Sequence, residues 1–267
     1  MSHQPRKRFG QNFLHDPGVI QRIVNSIHPR PGQHLVEIGP GQGALTRPLL
    51  NACGRLDVVE LDRDLIAPLQ QQLADAGELH VHQADALRFD FCALQTDNGL
   101  RLRVVGNLPY NISTPLLFHL MQQAVCIEDM HFMLQKEVVQ RMVAQPGNKD
   151  YGRLTVMLAY YCESEMLFSV GSGAFFPAPK VDSAIIRLRP HRQPPVEVDD
   201  PALLARLVAQ AFSQRRKTLR NNLREWLSAD AIADLDIDPG IRAERLSLAQ
   251  FARLTNALPA PPPNTEM

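Results

Sequence analysis

Cysteine is scarce, net charge is absent and no apolar run is long; each shortage removes a class of function. The four cysteines, Cys53, Cys92, Cys126 and Cys162, make no CxxC pair and no compact Cys/His cluster. That spacing speaks against a zinc site and against a disulfide framework, and it fits a reducing compartment. The nine histidines are scattered and read as surface or packing residues, so no metal is expected. Lys and Arg total 28, as do Asp and Glu; global charge selects no partner, and only local clusters can. No segment approaches the ~20 apolar residues that span a bilayer. The basic start, MSHQPRKRFGQNFLHDPG, leads into no long apolar stretch, so a signal peptide is not expected. Internal repeats are missing too. The expectation is a cytoplasmic monomer without a membrane partner, its 45% of hydrophobic residues sufficient for a core.

What is present is an alternation of strands and helices. Residues 17–28 carry Val19, Ile20, Ile23, Val24 and Ile27 at helical spacing. HLVEIG (34–39), RLDVVELD (55–62), ELHVHQAD (78–85) and LRVVGN (102–107) read as strands, with helices in ALTRPLLNAC, LIAPLQQQLADAG and STPLLFHLMQQA. HFMLQKEVVQRMVAQ reads as a strand running into a helix. This order predicts an α/β fold with a parallel sheet and right-handed crossovers. Composition shifts at RPHRQPPVEVDDP, which reads as a linker, and from Pro201 the pattern is helical. The expected division is an α/β domain over 1–190, opened by a segment over 1–16 that contacts ligands. A small helical domain follows over 195–258, then a proline-rich tail over 259–267 that needs no fixed structure.

Four strand ends carry candidate chemistry. After the first strand, GPGQGA opens a helix, and Gly39 and Gly41 allow sharp turns and close approach to a ligand. Gly39, Gly41 and Ala44 also fit the dinucleotide pattern GxGxxA, so the loop alone does not name its ligand. Glu60 ends the second strand, where a carboxylate can accept from ribose hydroxyls. Asp85 ends the third, where it can meet an adenine amine or merely cap the turn that follows. The fourth ends in Asn107, Leu108, Pro109 and Tyr110. An exocyclic adenine amine is a poor nucleophile because its lone pair is delocalised into the ring. The Asn107 side-chain oxygen and a turn carbonyl at Leu108 or Pro109 can hold both amine hydrogens, aim the nitrogen and favour its more tetrahedral form. Pro109 stiffens the turn, and Tyr110 can stack on an extruded base. No strong general base is needed for attack on a cationic sulfonium, since the amine proton becomes acidic as the methyl moves. Taken alone, the four residues would read as a capped turn; their place beside the glycine loop and two carboxylates favours chemistry.

RKRFGQNFL, VEIGPGQGALT, VVGNLPYNIST, FMLQKEV, FFPAPKVDSAIIRL and FSQRRKTLRNNL together resemble the bacterial KsgA-type small-subunit rRNA adenine dimethyltransferases, over nearly the whole chain. The resemblance implies a Rossmann-like class I methyltransferase domain with a small all-helical C-terminal domain, and S-adenosylmethionine as cofactor. It places Asn12 and Leu14 where they close over the cofactor, Gly39 near its methionine part, Glu60 on its ribose, Asp85 on its adenine and Asn107 between cofactor and target amine. Phe175 matches an aromatic that flanks the target base, with Phe176 beside it as the other ring available. The implied partner is 16S rRNA in the immature 30S subunit. The implied reaction is dimethylation at N6 of two adjacent adenosines in its 3′-terminal hairpin loop. The Erm-type 23S rRNA methyltransferases share the catalytic domain; the GQNFL and basic C-terminal motifs resemble the KsgA type more.

Two basic elements fit an RNA partner. Arg6, Lys7 and Arg8 precede FGQNF. Between Ser213 and Arg224 lie Arg215, Arg216, Lys217, Arg220 and Arg224 with no acid among them, a stripe expected on one helical face. The rival readings are an NAD-dependent oxidoreductase, which leaves NLPY unexplained, a DNA adenine methylase, and an assembly factor with a vestigial catalytic fold.

Overall fold

The computed structural model describes residues 12–95 and 99–258. Arg6, Lys7, Arg8 and the 259–267 tail lie outside the described residues. In chain order the first elements are β1 (Phe13–Leu14), α1 (Pro17–Ile27), β2 (His34–Ile38), α2 (Thr46–Cys53), β3 (Arg55–Glu60), α3 (Arg63–Leu73) and β4 (Glu78–Gln83). There follow β5 (Leu102–Asn107), α4 (Ser113–Gln122), β6 (Ile127–Gln135), α5 (Lys136–Met142) and α6 (Arg153–Tyr161). Next come β7 (Cys162–Val170), β8 (Phe175–Phe176) and β9 (Ser183–Pro190). The chain ends in α7 (Pro201–Ala211), α8 (Leu219–Asn222), α9 (Ala229–Ala233) and α10 (Leu248–Asn256).

One sheet has the order β4-β3-β2-β5-β6-β9-β7. Strands β2 to β6 run parallel, and β9 is antiparallel to β6. The chain winds from β2 outward through β3 and β4, then returns to β5 on the other side of β2. That reversal makes a crevice at the carboxyl ends of β2 and β5, the place where open parallel sheets bind ligands. The central strands are near-continuous apolar runs because helices cover both faces. Leu35, Val36, Leu56, Val58, Val104 and Val105 are fully or almost fully buried, each side chain contributing roughly 1.5–3 kcal/mol by leaving water. Local signals agree with this packing. Asp16 caps α1 by accepting from the Val19 N–H at 3.0 Å, and Pro17 starts the helix where no N–H is needed.

The compact units are not two consecutive stretches. The described residues up to Val139 group with Glu163–Pro190, and Gln140–Cys162 groups with the described residues from His191 onward. The linear boundary at 190 therefore sets α6 apart from the C-terminal helices with which it groups, the chain crossing the sheet twice more, in β7 and β9, after it. Within that second unit the Tyr151 hydroxyl donates to the Leu246 carbonyl at 2.8 Å, and a Ser247/Gln250 capping box starts α10.

Two expectations are corrected. Cys92 and Cys126 are joined in a disulfide, with Cα atoms 5.5 Å apart and a sequence separation of 34. Spacing rules detect local pairs, and this one is made by the fold. The basic segment is not one helix either. α7 stops at Ala211, Arg215 to Lys217 lie in turns, and only Arg220 sits in the short α8. Asn222, buried, donates its amide to the carbonyls of Ala211 (2.6 Å) at the end of α7 and of Gln214 (3.2 Å) in the turn after it, and so braces that turn.

Candidate active site

A cavity of about 380 Å³ opens at the carboxyl ends of β2, β3, β4 and β5, within the roughly 300–1,000 Å³ of small-molecule sites. Asn12, Leu14, Gly39, Gly41, Glu60, Asp85, Asn107, Leu108, Pro109 and Tyr110 all line it. Residues far apart in sequence thus meet because each stands on or just after a strand that ends at the crevice, or on the N-terminal β1 ribbon.

The loop after β2 is shaped by close approach. Gly41 has φ +56°, and a side chain there would meet the Phe13 ring at 3.2 Å, so β1 lies over the loop. Gly106 serves the same end on β5, where a Cβ would stand 2.7 Å from the Ile38 carbonyl oxygen. Glu60 is buried and held by two backbone donors, Asp62 N–H at 2.8 Å and Gly41 N–H at 3.4 Å. Burial raises its pKa against those bonds. Asp85 accepts from Leu87 N–H at 3.0 Å, so its first oxygen does cap the following turn while the side chain lines the cavity.

The Asn107 amide donates from Nδ2 to the Asn12 backbone carbonyl at 3.1 Å. This fixes the amide plane and makes Oδ1 the end left for a substrate. The turn after it is braced by Leu108 N–H donating to the Met133 carbonyl (3.2 Å) and Ile112 N–H donating to that of Pro109 (3.2 Å). The Tyr110 hydroxyl lies 2.8 Å from Ser183 Oγ. Burial raises its pKa, a shift opposed by the Ser183 bond and reinforced by Asp182, so the group remains a phenol.

The two phenylalanines separate cleanly. Phe175 is 3% exposed and belongs to the core cluster with Leu14, Met133 and Ile185; Phe176 is 68% exposed. Antiparallel pairing of β1 with β8 sets Leu14 opposite Phe175 and Phe13 opposite Phe176. Opposed residues share a face, and Phe13 and Leu14 both line the cavity. Of the two rings, Phe175, expected to flank the target base, is the buried one and Phe176 the exposed one.

Sequence reasoning passed over Glu37. It is buried one residue before the carboxyl end of β2, lines the cavity, and its Oε2 has no hydrogen-bond partner among the described residues. Burial pushes its pKa up to about 8, opposed by the nearby Thr46 hydroxyl and reinforced by Glu60. The available signal was one acid inside an otherwise apolar strand, HLVEI. Leu61, 53% exposed and also lining the cavity, was likewise overlooked. An orphaned buried carboxyl, two strand-end carboxylates and a glycine loop fit a cofactor with a cationic centre and a nucleoside. Among the described residues no cluster of His, Cys, Asp or Glu could hold a metal, and no helix is long and apolar enough to cross a membrane.

Comparison with known proteins agrees with this geometry. The family model described as ribosomal RNA adenine dimethylase matches residues 2–259. The chain is 59% identical to ribosomal RNA small subunit methyltransferase A of Pseudomonas aeruginosa, over 98% of this chain and 97% of that one. It is 58% identical to the protein of that name from a Marinomonas species, over 95% of each. Among solved structures, a dimethyladenosine transferase from Plasmodium falciparum superposes with TM-score 0.75 at 25% identity, covering 91% of this chain and 95% of that one. The 23S rRNA methyltransferase ErmE does so with TM-score 0.71 at 29% identity, covering 92% and 99%.

Proposed function

The chain belongs to the ribosomal RNA adenine dimethylase family, and from that premise we propose that it methylates N6 of two adjacent adenosines in the 3′-terminal hairpin loop of 16S rRNA, twice each. It is a class I, S-adenosylmethionine-dependent methyltransferase. The observation that carries the reading is the Asn107 amide, anchored by its nitrogen and open at its oxygen, at the mouth of a cavity lined by Glu60 and Asp85. High identity to small-subunit enzymes favours the 16S substrate over the 23S one.

Glu60 would accept from ribose hydroxyls and Asp85, through its second oxygen, from the adenine amine of the cofactor. Asn12 and Leu14 close the site from β1. When bound, the cofactor supplies an electrophilic methyl on a sulfonium. The rest is the work of this chain's residues. Asn107 Oδ1 accepts one hydrogen of the target amine. The Pro109 carbonyl already receives Ile112 N–H, which leaves the Leu108 carbonyl as the better second acceptor. Both bonds draw the nitrogen out of conjugation and aim its lone pair. Tyr110 presents its ring to the extruded base, and the exposed Phe176 is the second surface a base can meet. The departing amine proton passes to solvent; the Tyr110 phenol holds its own. Arg215, Arg216, Lys217 and Arg220, with Arg6, Lys7 and Arg8, are assigned to the phosphates of RNA in an immature 30S subunit, met by a cytoplasmic monomer.

The test is methyl transfer from labelled S-adenosylmethionine to small subunits lacking the modification, with naked 16S rRNA, 50S subunits and Asn107→Ala beside it. Dimethyladenosine in 30S RNA, absent with the variant, is expected. Label confined to 50S RNA overturns the substrate, and no transfer anywhere overturns the catalytic reading.

A further inference from the structure

Ser183 is the first residue of β9 and ends the FFPAPKVD segment that carries Phe176. It is fully buried and lies opposite Gln135 in the antiparallel register of β6 and β9. The residue before it, Asp182, has its carbonyl bonded by Lys136 N–H at 2.9 Å. Ser183 Oγ is thus fixed to the sheet by the backbone on both sides of it. Tyr110 is not: it stands half-buried on a loop, past a proline, and its ring reaches back so that the hydroxyl meets Ser183 Oγ at 2.8 Å.

A ring held at its far end has lost its freedom to swing. Pro109 restrains one end of the lever and the Ser183 hydroxyl the other. We propose that Ser183 is a positioning residue for methyl transfer: through the Tyr110 hydroxyl it sets the plane of the ring against which the target adenine stacks, and so the line along which N6 meets Asn107 Oδ1. The inference rests on the reading of Tyr110 as the stacking surface given above. It also ties the NLPY turn to the β8–β9 segment that carries the exposed Phe176.

The second methylation should feel this most. An N6-methyl group prefers the plane of its base and must turn away before the nitrogen can be presented again. A base free to tilt on a loose ring has more unproductive poses at that stage than at the first. Loss of the Ser183 bond therefore predicts a shift in product as well as a slower rate.

The experiment compares wild type, Ser183→Ala, Tyr110→Phe and the double variant on undermethylated 30S subunits, with cofactor affinity and melting temperature measured on each. Tyr110→Phe breaks the same bond without touching the sheet, so it carries the test if Ser183→Ala fails to fold. Expected are cofactor affinity within about twofold of wild type, KM for 30S little changed, and kcat lower by about ten- to a hundredfold. N6-monomethyladenosine should accumulate ahead of the dimethyl product, and the double variant should be no worse than either single one, as for two groups acting through one bond. Single variants with wild-type kcat and product ratio overturn the proposal. So does a loss in Ser183→Ala that Tyr110→Phe does not share, since that marks Ser183 as a packing residue. A wild-type protein that transfers no methyl at all overturns the functional reading itself, a result distinct from either.

Discussion

The two ends of the parallel sheet use the same side chains to opposite effect. In the amino half, charge is buried and fully matched. Arg103 on β5 makes a two-pronged bond to Asp129 on β6 (2.9 and 2.8 Å) and gives its other donors to Gln33 and to the carbonyls of Ile27 and His28. Asp57 is gripped by His34 at 3.0 Å and His82 at 2.7 Å. Burial alone would raise its pKa, but the two histidines outweigh that and hold the carboxyl below its ordinary value. At the carboxyl ends, among the described residues, Glu37 keeps an oxygen without a hydrogen-bond partner, Asn107 bonds through its amide nitrogen, and Asp85 accepts through one oxygen. Polar groups at one end are satisfied by the protein; at the other, Glu60 with its two backbone donors apart, they wait for something else to satisfy them. Position on the strand decides which groups hold the fold and which serve the ligand.

If that division is right, cutting the matched end should cost stability and leave chemistry intact. Arg103→Met strands Asp129 in a buried site and should lower unfolding free energy by about 3–5 kcal/mol, read by denaturant titration, while methyl transfer persists wherever the variant is folded. The reverse experiment is Asn107→Ala. It should reduce methyl transfer by about 10²–10³-fold, the usual loss when a group aimed at the reacting centre is removed. Its denaturation midpoint should stay close to that of wild type, since only one bond to a backbone carbonyl is lost. A variant of Asn107 that unfolds, or of Arg103 that folds well but is inactive, would break the comparison.

The disulfide joins the segment after β4 to the residue just before β6. Cys92 to Cys126 encloses 34 residues of separation that include all of β5 and the NLPY turn. Closing a loop of that length stabilises the chain by about 3–4 kcal/mol in the chain-entropy description. Reduction, or Cys92→Ser with Cys126→Ser, should lower the denaturation midpoint accordingly. Cofactor affinity measured below that midpoint should be unchanged, because neither cysteine lines the cavity.

The sequence made the carboxyl end of the sheet legible and the amino half much less so. Glycines after an apolar run, an acid at each of two strand ends, and NLPY at a third are local patterns, and local patterns survive in a linear text. Arg103 with Asp129, and Asp57 with His34 and His82, are partners across strands. Nothing in LRVVGN or RLDVVE says that their charges will find each other. The disulfide escaped for the same reason. Phe175 and Phe176 were adjacent letters, and only the β1–β8 pairing gives one to the core and the other to solvent. The basic run from Arg215 has helical periodicity on paper, but the chain turns there, braced by Asn222. Glu37 was readable, as an acid in an apolar strand, and was overshadowed by the glycines beside it.

Glu37 also yields the sharpest prediction, because its contribution depends on pH. Its pKa in the folded protein is about 8 against an ordinary 4.5, so the folded state prefers the neutral acid. That contribution to stability is fully present below pH 4.5 and is lost as pH rises toward 8. His131 behaves in the opposite sense: buried, with neither ring nitrogen hydrogen-bonded among the described residues, it is pushed down to about 4 by burial, against the pull of Asp129 at 3.9 Å. Its contribution is present above pH 6.5 and is lost as pH falls toward 4. Glu37→Gln keeps the shape of the neutral acid and removes its titration. The variant should therefore gain on wild type steadily between pH 4.5 and 8 in a melting-temperature series, and the two curves should run parallel outside that window. His131→Leu should gain on wild type only as pH falls below 6.5. A Glu37→Gln curve parallel to wild type at every pH would mean that this carboxyl ionises freely in the fold, and the unmatched end of the sheet would then be as well solvated as an ordinary surface.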